Sequence, residues 1–164
     1  MPLFYLDTSA IVKRYRSETG TEVIIQLVDN ANPDDRFYTS FLSILELTSA
    51  IMRLVRGGQL SKATAGEILA RFRVDVQEII QVWPLDNEIV AGAVQVVEEH
   101  RLRSGDAIHL ATVNALDLIS AEDSVIVVSS DDELVDAARA AAFDSLNPMT
   151  AESVHHLRQL RGQN

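Results

Sequence analysis

Four short apolar runs constrain this chain more than any other feature. Leu3-Phe4-Tyr5-Leu6 closes on Asp7-Thr8-Ser9, and Phe37-Tyr38-Thr39 leads into a long helical pattern. Ile79-Ile80-Gln81-Val82-Trp83 halts at Pro84, and Val125-Ile126-Val127-Val128 is apolar throughout. Runs this short, rich in β-branched and aromatic residues, suit strands covered on both faces. Helical periodicity fills the gaps, over about 9–16, 21–29, 41–55, 61–78, 86–100, 107–116 and 131–142, with Gly57-Gly58 ending one helix and Ser61 capping the next. Strands alternating with helices predict a three-layer α/β/α domain on a central parallel sheet of four or five strands, the fifth a short edge strand over 143–146. The expected division is one domain over 1–150, with 151–164, carrying His155 and His156, as a C-terminal tail or short helix.

Charge narrows the function. Fourteen Lys and Arg against 24 Asp and Glu give a net charge of −10. That is the wrong sign for a protein holding nucleic acid through a broad basic surface. A nucleic-acid substrate would need something local, a metal or a small basic rim, to override the repulsion. The absence of cysteine removes disulfides, thiolate nucleophiles and Cys-ligated zinc. It also agrees with a reducing cytoplasm. The start Met1-Pro2-Leu3-Phe4 lacks a signal peptide's basic residues, and no apolar run is long enough for a membrane span, so no membrane role is expected.

The acidic residues are therefore the place to look. In open parallel sheets, sites form beyond the carboxyl ends of the strands. Asp7 directly follows the first run, and Asp131 lies just past the last. Asp106 sits in the first turn of a helix opened by Ser104-Gly105, and Glu46 interrupts the apolar segment Ser43-Ile44-Leu45-Glu46-Leu47-Thr48. Each has an ordinary reading, since Asp at a helix start stabilises by about 0.3–1 kcal/mol and Glu46 could point outward. That reading offers no reason for all four to gather. If they do gather, two carboxylates about 5 Å apart repel by roughly 3 kcal/mol at an effective dielectric near 20. Such a cluster takes up protons or binds a cation, and oxygen ligands select hard ions, Mg²⁺ or Mn²⁺.

Phe4-Tyr5-Leu6-Asp7-Thr8-Ser9-Ala10-Ile11-Val12-Lys13-Arg14-Tyr15, Leu45-Glu46-Leu47, Gly105-Asp106-Ala107-Ile108-His109-Leu110-Ala111-Thr112 and Val127-Val128-Ser129-Ser130-Asp131-Asp132-Glu133-Leu134 come in that order. Together they resemble the PIN-domain family, and within it the VapC toxins of VapBC toxin–antitoxin modules, over about residues 3–148. The resemblance implies a metal-dependent endoribonuclease in which Asp7, Glu46, Asp106 and Asp131 bind one or two divalent ions, Mg²⁺ or Mn²⁺, that activate water. It also implies an RNA substrate, a homodimer, and neutralisation by a VapB-type antitoxin seated beside the site. Asp132 adjoins Asp131; the family's register, with Leu134 three residues after the acid, favours Asp131.

Other residues carry weaker signals. His109 reads as a structural histidine, and Thr8 and Ser129 as hydroxyls able to orient a carboxylate. Ser9 lacks the Gly-x-Ser-x-Gly frame of a nucleophile. Lys13, Arg14 and Arg16 are expected to line a path for an RNA backbone, and Arg53, Arg56 and Lys62 to form a second rim. Part of the apolar face of Leu47, Ile51, Leu54, Val55, Ile68, Leu69 and Phe72 is assigned to a dimer or antitoxin groove. The alternatives are a catalytically inactive PIN-like metal- or partner-binding module and a phosphoacceptor built on Asp7. The second lacks an Asp two residues after Asp7 and has no lysine beyond Lys62.

Overall fold

The computed structural model describes residues 1–120 and 123–162. Its sheet has five parallel strands in the order β3-β2-β1-β4-β5: β1 Pro2–Leu6, β2 Arg36–Ser40, β3 Ile80–Trp83, β4 Ser124–Val128 and β5 Asp144–Leu146. Helices α1 Thr8–Tyr15 and α2 Thr21–Asp29 connect β1 to β2, and α3 Phe41–Arg56 and α4 Lys62–Glu78 connect β2 to β3. Helices α5 Asn87–Glu99 and α6 Ser104–Ile119 lead from β3 back to β4. After β4, α7 Asp132–Ala140 precedes β5, and α8 Ser153–Leu160 follows it. The sequence-based expectation of a three-layer α/β/α domain is met, and the edge strand does form.

The apolar runs are explained by burial on both faces. Along β1, Phe4 and Leu6 join the core formed with α1–α4 and α8, while Leu3 and Tyr5 join the core formed with α5–α7. Ile126 and Val128 against Val125 and Val127 divide β4 the same way. A strand with apolar residues on both sides cannot alternate with polar ones, hence the unbroken runs. Burying such a side chain contributes about 1.5–3 kcal/mol.

Strand order positions the site. From β1 the chain leaves towards β2 on one side, and β4 pairs with β1 on the other, with Leu6 opposite Val128. The carboxyl ends of β1 and β4 therefore flank a topological switch point, where open α/β sheets leave a crevice.

One departure from the sequence reading, the end of α7, has a local cause, and of the two forms expected for 151–164 the short helix is found. Helix α7 ends at Ala140 because Ala142 adopts φ 65°, with its N–H on the Arg139 carbonyl and the Phe143 N–H on the Ala138 carbonyl. This is a left-handed helix stop of the kind glycine usually makes. At the other end of the chain, α8 is docked: Leu157 is buried, and Arg161 donates from Nη2 to Asp35 Oδ2 and to the Leu27 carbonyl, both at 2.6 Å.

Candidate active site

Asp7, Glu46, Asp106 and Asp131 all line one cavity of about 660 Å³ at the switch point. They come from four separate elements. Asp7 and Asp131 precede α1 and α7, Glu46 lies within α3, and Asp106 lies in the first turn of α6. The helix-capping reading and the site reading hold together. Asp7 accepts the Ala10 N–H at 2.8 Å, and Asp131 accepts the Glu133 N–H at 2.8 Å, while both face the cavity.

Asp7 is the most enclosed of the four. Ser129 donates to its Oδ2 at 2.7 Å, and the Ser9 hydroxyl lies 2.8 and 2.9 Å from its two oxygens. The same two hydroxyls accept the backbone N–H groups of Ser130 and Asp131, at 2.8 and 3.0 Å. The ends of β1 and β4 are thus laced together around one carboxylate. Burial pushes the Asp7 carboxyl above its ordinary value, against the opposing pull of His109 and of these hydrogen bonds.

Glu46 is arranged differently. Thr8 donates to its Oε2, and His109 Nε2 stands 3.2 Å from the same oxygen. Burial raises its pKa, but the hydrogen bonds from His109 and Thr8, with the electrostatic pull of His109, outweigh that and hold it below the ordinary value. Gly105 makes the approach possible, because a Cβ there would stand 3.1 Å from Glu46 Oε1.

Asp106 reports the crowding of charge. Burial first, and then the charges of Asp131, Asp7 and Glu46, push its carboxyl to about 6 despite the opposing pull of His109. Among the described residues, no three His, Asp or Glu side chains already stand together as a cage for an ion. Asp7 and Asp131 are turned to helix N-termini and Glu46 to His109 and Thr8. Mg²⁺ does not require such a cage, because it binds through one or two carboxylates and keeps waters for the rest. Oxygen donors that repel one another across one open cavity fit a hard divalent ion.

Several expectations change. Lys13 is buried against Glu18 at 2.7 Å, and Arg14 is tied to Asp75 and Asp29 at 2.7 and 2.6 Å, so neither lines a path for RNA. Of the second rim, Arg53 lines the cavity; Arg56 and Lys62 do not. Leu47, Ile51, Ile68 and Phe72 are buried in the core, and Leu54, Val55 and Leu69 are partly buried against it, so most of that face is core. The exposed apolar residues of α3 are Phe41, Leu45 and Met52. Asp132 accepts from Asn147 Nδ2 at 2.9 Å and does not line the cavity. Ser9 and His109 were missed as site residues. Their signals were the two-residue offset of Ser9 from Asp7 and the helical i+3 offset of His109 from Asp106.

Residues 4–140 match the PIN domain family. Ribonuclease VapC35 of Mycobacterium tuberculosis is 28% identical over 146 residues, covering 89% of this chain and 97% of the relative. The structure of VapBC-1 from nontypeable Haemophilus influenzae superposes with a TM-score of 0.62 at 12% identity, covering 90% of this chain and 99% of that one. A toxin–antitoxin complex from Klebsiella pneumoniae superposes with a TM-score of 0.57 at 15% identity, covering 90% and 98%. At those identities the superpositions speak for the fold alone, but the family match spans most of the sequence, from β1 through α7. The chain belongs to the PIN domain family.

Proposed function

We propose that this protein is a divalent-metal-dependent endoribonuclease, the toxin of a VapBC-type toxin–antitoxin pair. The convergence of four carboxylates from distant segments on one cavity carries the proposal. The name of the VapC35 ribonuclease supports RNA as substrate, and the Klebsiella complex supports an antitoxin partner. The family resemblance extends the proposal to a VapB-type antitoxin and a homodimer. A toxin acting on cellular RNA works in the cytoplasm, and among the described residues no helix is long and apolar enough to cross a membrane.

Asp7, Asp106 and Asp131 would hold Mg²⁺ or Mn²⁺, and Glu46 would bind the ion or orient the attacking water. Bound there, a divalent ion supplies positive charge to the scissile phosphate and acidifies the water. Ser9 and Ser129 keep the Asp7 carboxylate turned, so that its geometry is set before substrate arrives. Arg53, on the cavity rim, meets a backbone phosphate and offsets the repulsion of a chain with net charge −10. The test is cleavage of a whole-cell RNA pool by purified protein with Mg²⁺, Mn²⁺ or chelator, beside Asp7→Asn and Asp106→Asn. Cleavage is expected only with the native acids and a metal; full cleavage by either folded variant, or in chelator, refutes the proposal.

A further inference from the structure

Tyr5 and His109 extend from Glu46 in a hydrogen-bonded line, and the proposed reaction leaves those two without a role. Tyr5, wholly buried on β1, sets its hydroxyl 2.7 Å from His109 Nδ1. The two rings meet edge to face with centroids 5.9 Å apart. His109, buried on α6, reaches from there to the cavity wall and sets Nε2 3.2 Å from Glu46 Oε2. Thr8 donates to that same oxygen. Among the described residues no donor reaches Glu46 Oε1, which lies beside Gly105.

The proton positions follow from the ends of the line. A carboxylate at neutral pH only accepts, so the hydrogen between His109 and Glu46 sits on Nε2. In a neutral ring Nδ1 is then bare, and the Tyr5 hydroxyl donates to it. A histidine that merely fills a core needs partners for its nitrogens. This one spends Nε2 on a carboxylate of the cavity, on the very oxygen Thr8 already holds.

We infer that Tyr5 and His109 are positioning residues, which hold Glu46 by Oε2 so that Oε1 alone is presented to the divalent ion or the attacking water. The inference rests on the proposed function and adds two residues beyond the four acids. Hydrogen-bond partners behind metal-site ligands typically carry 10- to 100-fold of affinity or activity.

The experiment combines the His109 tautomer in ¹⁵N-labelled metal-free protein with Mn²⁺ affinity by electron paramagnetic resonance and RNA cleavage kinetics. The native ring is expected to be protonated at Nε2; a ring protonated at Nδ1 alone overturns the inference. His109→Ala is expected to lose about 10- to 100-fold in Mn²⁺ affinity or kcat with KM for RNA little changed. His109→Gln, whose side-chain amide still donates, recovers part of that loss. Tyr5→Phe keeps the ring in the core and is expected to lose several-fold while shifting the tautomer balance, which judges the relay even if His109→Ala does not fold. Native Mn²⁺ affinity and kcat in folded Tyr5→Phe or His109→Ala overturn the inference alone. Failure of the native protein to take up Mn²⁺ overturns the proposed function, and the relay with it.

Discussion

Gly105 lies against Glu46 so closely that a Cβ on it would stand 3.1 Å from the carboxylate's Oε1 atom. A helix interior gains about 1 kcal/mol when alanine replaces glycine, and Gly105, the second residue of α6, would gain less. At this position the added methyl would press on a side chain held from its other oxygen by Thr8 and His109. Gly105→Ala is therefore expected to leave stability within about 1 kcal/mol of the native protein while lowering RNA cleavage at least tenfold. Urea unfolding and kcat measured on the same preparation check the split, and native kcat would show that Glu46 moves aside freely.

Asp106 should make the metal-free protein less stable as pH rises. Its folded carboxyl titrates near 6, above the ordinary 3.8, so folding favours the protonated form. Well below pH 4 the group is protonated in both states and contributes no penalty; from about 4 to 6 the penalty grows, and above 6 it is complete. The side chain is half-buried, and solvent screening brings the effect to about 1 kcal/mol. Asp106→Asn is expected to stabilise the metal-free protein by that amount at pH 7 and to lose most of the advantage by pH 4. Mg²⁺ should stabilise the native protein at pH 7 and do so far less in the variant. Equal pH dependence in both proteins would contradict this account.

Arg53 is the basic side chain on the cavity wall. A phosphate contact adds affinity that weakens as salt rises, with a slope of about 0.7 per contact for single strands. Arg53→Ala is expected to raise KM for RNA several-fold, leave kcat within about twofold, and flatten the salt dependence by about one contact. Binding measured at several salt concentrations tests it; an unchanged slope removes Arg53 from the RNA path.

Arg161 and Asp35 form an ion pair with side chains 4% and 0% exposed. Deleting one partner of such a pair leaves a buried charge without compensation and costs about 3–5 kcal/mol. Arg161→Ala is expected to destabilise the protein on that scale while leaving cleavage per folded molecule unchanged, since the pair is remote from the cavity lining. Urea unfolding with an activity assay below the transition decides it, and a loss under about 1 kcal/mol would show that α8 contributes little to the fold.

Asp7 and Asp131 were legible because their positions are local facts. An acid directly after a buried strand stands at the end of that strand whatever surrounds it, and a parallel sheet opens its crevice there. Glu46 was legible as a carboxylate in an apolar segment, and Asp106 as an acid in a helix's first turn. Arg14 was misread for the opposite reason. Arg14 meets Asp75, 61 residues away, so what α1 shows to solvent depends on how α2 and α4 pack over it. Ser9 and His109 look like a cap residue and a core residue until their partners are in place.

Short-range periodicity in the amino-acid order settled the layers, the strands and the places where acids follow them, because those depend on residues a few positions apart. Folding in three dimensions alone decided that Ser129 reaches Asp7 across 122 residues, and that Tyr5 and His109 stand behind Glu46. Those contacts require a particular strand order and a particular rotation of each helix about its axis. Packing of two buried faces at once sets both, and no stretch of neighbouring residues encodes that alone.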